Sequence, residues 1–126
     1  MDLQITCKYN NHARKKVVTY SKRRDLKIEF MTAHASKGLQ ADYVFIINND
    51  SGRYGFPSNI TDDKVLDLVM DNKEAYPYAE ERRLYYVSLT RAKKFVYLMV
   101  DKNCKSVFIQ EIEDEIRRAR VGDVSA

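Results

Sequence analysis

Two short stretches of the chain are apolar at consecutive positions, VFII at residues 44–47 and FVYLMV at residues 95–100. The first, apolar on every side, is the pattern of a strand covered on both faces in a parallel sheet, and the second reads as another strongly apolar strand. The first lies in ADYVFIIN at residues 41–48. Residues 27–32 (KIEFMT) alternate with period two before a segment of small residues, which predicts a strand running into a loop, and residues 3–7 (LQITC) can form a further short strand. Helical signals sit between and after them. Residues 61–71 carry a plausible cap at Thr61 or Asp62 and apolar Val65, Leu66, Leu68 and Val69. Residues 79–94 open with Glu80 and Glu81 and close with Arg91, Lys93 and Lys94, the charge order that a helix dipole favours. Residues 106–120 place Ile109, Ile112, Ile116 and Ala119 on one stripe, with Glu113–Arg117 and Asp114–Arg118 pairs outside it. Strands alternating with helices predict an α/β fold with a mainly parallel sheet flanked by helices. At 126 residues, a single domain spanning 1–126 is expected.

The composition, 44% apolar and 32% charged, belongs to a folded chain. No apolar stretch approaches the roughly 20 residues of a membrane span, and the N-terminus lacks the basic start and apolar run of a secretory signal. No membrane partner and a cytoplasmic location are expected. Two cysteines, Cys7 and Cys104, and two histidines offer no clustered spacing for a zinc site, so no metal centre is predicted. The net charge of +4 would suit a polyanion, although basic surfaces often bind none. Residues 10–24 hold basic clusters at 14–16 and 22–24 that read as solvated surface, and residues 49–58 are turn-rich and read as a surface loop.

Two constellations could carry chemistry. In MTAHASKG, residues 31–38, a strand gives way to small and polar residues, and in an extended chain Thr32 and His34 point to the same side. A hydroxyl, an imidazole and the Lys37 ammonium are then grouped at the end of a strand, where α/β sheets place ligands. A helix starting near Ser36 would add free N–H groups suited to phosphate. The plain alternative is a polar connection with Ser36 as its cap. In EERRLYYVSLTRAKK, residues 80–94, helical spacing puts Leu84, Val87, Ser88 and Arg91 on one face. A guanidinium ending a core-facing stripe must pair with a buried carboxylate or project toward an anion, unless it serves only the helix dipole. No GxxxxGK[ST] occurs in the chain, so it cannot be a complete P-loop ATPase.

Together these stretches resemble motifs V (about 31–47) and VI (about 80–94) of the UvrD/Rep-like superfamily 1 DNA helicases, most closely the helicase IV branch. FMTAHASKGLQADYVFII, the FP of the following loop and EERRLYYVSLTRAKK carry the resemblance, which covers residues 28–100. It implies a RecA-like second motor domain, the C-terminal part of an ATP-dependent 3′–5′ helicase. The Walker lysine and most Mg²⁺ ligands for its ATP cofactor would lie in a first motor domain of the same parent chain. The expected partners are that N-terminal domain and single-stranded DNA.

By the same resemblance, Arg91 matches the arginine finger that reaches the γ-phosphate. Thr32 and His34 match positions contacting the DNA backbone. Lys37 belongs to the DNA-contacting set, and with Gly38 it lies in the loop linking DNA to nucleotide. Gln40 stands where many members carry a glutamate that holds the ribose hydroxyls, and an amide accepts the same bond without the charge. The implied fragment would be inactive alone. A stand-alone, non-catalytic nucleic-acid-binding module of RecA-like fold is the alternative. Glu80 and Glu81 are expected at the helix start and in ion pairs, and Tyr85 and Tyr86 in packing.

Overall fold

The computed structural model describes residues 2–7, 16–58 and 77–124. The expected helix at 61–71 and the basic residues Arg14 and Lys15 lie outside them. Seven elements follow in chain order: β1 (Asp2–Cys7), β2 (Lys16–Tyr20), β3 (Arg23–Thr32), β4 (Ala41–Ile46), α1 (Ala79–Leu89), β5 (Ala92–Leu98) and α2 (Val107–Val124). The five strands form one sheet in the order β2-β3-β1-β4-β5. Strand β1 lies parallel to both β3 and β4, β5 is parallel to β4, and β2 is an antiparallel edge on β3. The α/β fold with a mainly parallel sheet is therefore present, with one antiparallel hairpin inside the polar stretch that read as surface. That hairpin's cations stay in solvent: Lys22, Arg23 and Arg24 are exposed, and Arg23 pairs with Asp25 at 2.6 Å.

Strand β4 corrects the expectation of cover on both faces. Val44 and Ile46 are fully buried against Leu84 and Tyr85 of α1 and Phe108 of α2. Tyr43 and Phe45, on the opposite face, stack on Phe95 and Tyr97 of β5 with ring centroids 6.1 and 4.6 Å apart. Phe95 and Tyr97 remain 60% and 44% exposed. Both described helices therefore pack on one face, and aromatic neighbours across strands shield part of the other. The period of two was present but hidden, because the residues on the second face are also apolar.

The helix expected over 79–94 stops at Leu89. Thr90 N–H bonds the Tyr86 carbonyl at 3.0 Å and Arg91 N–H the Ser88 carbonyl at 3.3 Å, which turns the chain directly into β5. Lys93 and Lys94 are consequently strand residues, and Ala92 pairs with Ala41. Pairing with a neighbouring strand overrides the helix propensity of Ala, Lys and Arg here. Glu80 and Glu81 do occupy the first turn, but no basic residue stands in the last. Helix α2 begins at Val107, with the Ser106 carbonyl and hydroxyl accepting from Gln110 and Ile109 N–H groups at 3.1 and 3.4 Å. Its stripe is buried at Ile109, whereas Ile116 is 47% exposed, so the C-terminal half of the helix extends past the described core. The ion pairs also differ from the expected ones: Glu113 meets Lys105 at 2.6 Å and Glu115 meets Arg118 at 2.7 Å.

The segment expected as a surface loop at 49–58 enters the core at both ends. Asn49 and Phe56 are fully buried, and the Phe56 ring meets Tyr85 edge-on at 4.8 Å. Gly55 is required by contact rather than by φ, since a Cβ there would collide with the Asp50 carbonyl. Among the described residues no helix is long and apolar enough to cross a membrane.

Candidate functional site

Strand β3 ends where Thr32 aligns with Cys7 of β1, at the C-terminal edge of the sheet. Strand β4 starts again near the opposite edge, with Tyr43 level with Leu3 and Ala41 beside Ala92. Residues 33–40 must therefore run back along the sheet between its two edges. Ala33 and Ser36 are fully buried in that passage, so the segment lies against the core.

Local bonding makes residues 32–39 a series of tight turns. The Thr32 hydroxyl oxygen accepts from Ala35 N–H at 3.2 Å, the Ser36 hydroxyl donates to the Ala33 carbonyl at 2.7 Å, and Leu39 N–H reaches the Ser36 carbonyl at 3.0 Å. Thr32, not Ser36, is thus the capping side chain, and the extended geometry expected for Thr32 and His34 is replaced by a turn. No helix starts at Ser36, whose own N–H is bonded to the Thr32 and Ala33 carbonyls at 3.2 and 3.3 Å. The phosphate site conditional on that helix is accordingly not formed. His34, Lys37 and Gln40 are exposed and Thr32 is half-buried. Gly38 has φ +79°, a left-handed conformation that favours glycine and ends the run of turns.

Arg91 stands at the other edge. Its carbonyl accepts Ala41 N–H at 3.0 Å, which ties it to the residue after Gln40. The structure thus brings Gln40 and Arg91 to one edge and leaves Thr32 at the opposite one, with Lys37 and Gly38 on the connection. The buried stripe of α1 ends at Ser88, and the half-buried Arg91 side chain folds back on the helix terminus. Its Nε donates to the Val87 carbonyl at 3.0 Å and Nη2 to the Thr90 hydroxyl oxygen at 3.2 Å. This serves the helix dipole, as one reading of the sequence allowed, yet engages only two of the five guanidinium N–H donors. Among the described residues no carboxylate forms an ion pair with Arg91. Lys94 differs, pairing with Asp42 at 3.6 Å and lying 5.7 Å from the Tyr43 ring centroid.

An uncommitted guanidinium edge and an exposed amide at the same edge of the sheet are groups able to bond phosphate and ribose oxygens. They do not fit the associated cation: among the described residues no group of three His, Cys, Asp or Glu side chains could hold a metal. Three surface cavities of about 180, 230 and 260 Å³ are lined by none of Thr32, His34, Lys37, Gly38, Gln40 and Arg91.

Several residues behind this edge escaped sequence reasoning. Asn49 donates to the Ile46 and Met99 carbonyls at 2.6 and 3.0 Å and accepts from the Tyr85 hydroxyl at 2.7 Å, joining the ends of β4 and β5 to α1. Burial raises the pKa of that hydroxyl. Tyr86, its neighbour, is 67% exposed and not in the core. Glu81 accepts Ser58 N–H at 2.9 Å and holds the Phe56 loop on the helix, while Glu80 pairs with Arg83 at 3.0 Å. Sequence gave Asn49 only the signature of a turn residue.

The family profile described as UvrD-like helicase C-terminal domain matches residues 10–103. DNA helicase IV of Escherichia coli (strain K12) is 43% identical over 89 residues, covering 71% of this chain and 13% of that protein. DNA helicase II of Rickettsia typhi is 34% identical over 99 residues, 71% of this chain and 14% of the relative. The ATP-dependent DNA helicase Rep of E. coli is 37% identical over 68 residues, 54% of this chain and 8% of the relative. The chain thus spans about an eighth of the first two relatives' length. No solved structure matches the chain.

Proposed function

This chain belongs to the UvrD-like helicase C-terminal domain family, and from that premise we propose that it is one RecA-like domain, residues 1–126, of an ATP-dependent 3′–5′ DNA helicase acting in the cytoplasm. Its own contribution is half of a nucleotide site and part of a single-stranded DNA track. The observation that carries this reading is Arg91, a half-buried guanidinium with only two of its five donors engaged, at the edge it shares with Gln40.

Arg91 is the arginine finger. Its free N–H groups, oriented by the end of α1, stabilise charge that develops on a transferring γ-phosphoryl group. Gln40 and Gly38 form the nucleotide-facing side of the connection, with the amide accepting from ribose hydroxyls. Thr32, His34 and Lys37 contact the DNA backbone from the other side, Lys37 as a point charge and Thr32 and His34 through hydrogen bonds. When bound, Mg²⁺ with ATP supplies further neutralisation of phosphate charge. The remaining ligands come from the N-terminal motor domain of the same parent chain, and the matched stretch is only 13% and 14% of the length of the first two relatives.

In the full-length helicase, Arg91→Ala is expected to lower ATP turnover about 10³-fold or more while sparing single-stranded DNA affinity. The 126-residue chain alone is expected to hydrolyse no ATP. Steady-state ATPase assays and fluorescence anisotropy on labelled DNA measure both, and near-normal turnover in the variant removes the assignment.

A further inference from the structure

Thr90 closes α1 immediately before Arg91. Its hydroxyl donates to the Val87 carbonyl at 2.9 Å, and the same oxygen accepts from Arg91 Nη2 at 3.2 Å. Arg91 Nε donates to that Val87 carbonyl at 3.0 Å. One carbonyl, one hydroxyl and one side of a guanidinium therefore form a closed ring of three hydrogen bonds. A free arginine side chain carries about 2 kcal/mol of rotamer entropy, and holding two neighbouring nitrogens of a planar fork removes most of its freedom before any ligand arrives. The main chain is constrained at the same place, with Thr90 N–H on the Tyr86 carbonyl and the Arg91 carbonyl on Ala41. Valine would keep the branched shape at position 90 but could neither donate nor accept, whereas serine would keep both bonds.

We propose that Thr90 is a positioning residue, whose hydroxyl sets the direction of the Arg91 guanidinium so that its unengaged N–H groups are pre-aimed at an anion. This rests on the reading of Arg91 as the phosphate-facing cation. Thr90 touches no substrate and acts only through its neighbour. Because the side chain is exposed, replacing it removes a hydrogen-bonded hydroxyl without opening a cavity in the core.

The test compares Thr90→Val, Thr90→Ser and Arg91→Ala in the full-length helicase that carries this chain. Turnover of ATP is measured with saturating single-stranded DNA, beside the affinities for ADP alone and for ADP with aluminium fluoride. Thr90→Val is expected to lower kcat about 3- to 10-fold, the worth of one hydrogen bond, with little change in KM. It should weaken ADP with aluminium fluoride by the same factor and leave ADP binding unchanged. Thr90→Ser should behave as wild type in both readouts. A Thr90→Val protein that matches wild type while Arg91→Ala collapses overturns this proposal alone, as does a Thr90→Ser protein as impaired as the valine variant. If Arg91→Ala itself turns over normally, the reading of Arg91 fails and takes this one with it.

Discussion

The hydroxyl of Tyr85 and the side chain of Asn49 show what a single buried polar contact does in this chain. Both residues are buried, and the Asn49 amide has its nitrogen bonded to two carbonyls and its oxygen to Tyr85. Tyr85→Phe keeps the ring contacts with Phe56 and Phe108 but leaves the Asn49 oxygen without its donor. An unsatisfied buried acceptor costs about 1–3 kcal/mol, so urea unfolding of the variant should show a loss of that size with an unchanged m-value. A loss below a few tenths would mean that water replaces the hydroxyl. Neither residue was legible as a pair in the sequence. They stand 36 positions apart, and an asparagine after a strand reads first as a turn former.

Among the elements, the contact between α1 and α2 depends on a mixed polar and aromatic brace. Arg82 meets Glu111 through two nitrogen–oxygen contacts, at 2.5 and 2.8 Å, and its guanidinium carbon lies 4.9 Å from the Phe108 ring centroid. Hydrogen bonding from Arg82, ahead of its charge, holds the Glu111 carboxyl below the ordinary 4.5. The folded state therefore releases this proton more readily than the unfolded chain. The stabilisation is present above the ordinary carboxylate range and is lost as pH falls through the lowered folded value. Both side chains are partly in solvent, which limits the effect to about 0.2–1 kcal/mol. Glu111→Gln should thus be less stable than wild type by that amount near neutrality, with the gap closing in acid, as read by denaturation at a series of pH values. A constant gap across pH would assign the effect to packing. The ends of elements were the poorest part of the sequence reading, as at Leu89, where β4 captures residues that local propensity assigns to a helix.

For the whole molecule, the net charge of +4 matters through where it is placed. Lys37 is exposed on the passage between the two sheet edges, and in its proposed role it neutralises a phosphate of single-stranded DNA and so releases counterions. Lys37→Ala should reduce the slope of log affinity against log salt by about 0.7, measured by anisotropy with a labelled oligodeoxythymidine. An unchanged slope would remove Lys37 from the DNA track. The strands at 3–7, 27–32, 41–48 and 95–100, the helix at 106–120, the α/β class and the likeness to the UvrD-like helicase family were readable from sequence. Hydrophobic period and residue order are local properties carried by the chain itself. Only the tertiary structure decided that both described helices lie on one face, that Thr32 and Arg91 occupy opposite edges, and that Phe56 and Asn49 are core. Those outcomes depend on which distant groups meet, such as Ala41 with Arg91 or Ser58 with Glu81. Hydrogen bonds and side-chain packing are chosen among partners far apart in the chain, and no pattern along a single segment records that choice.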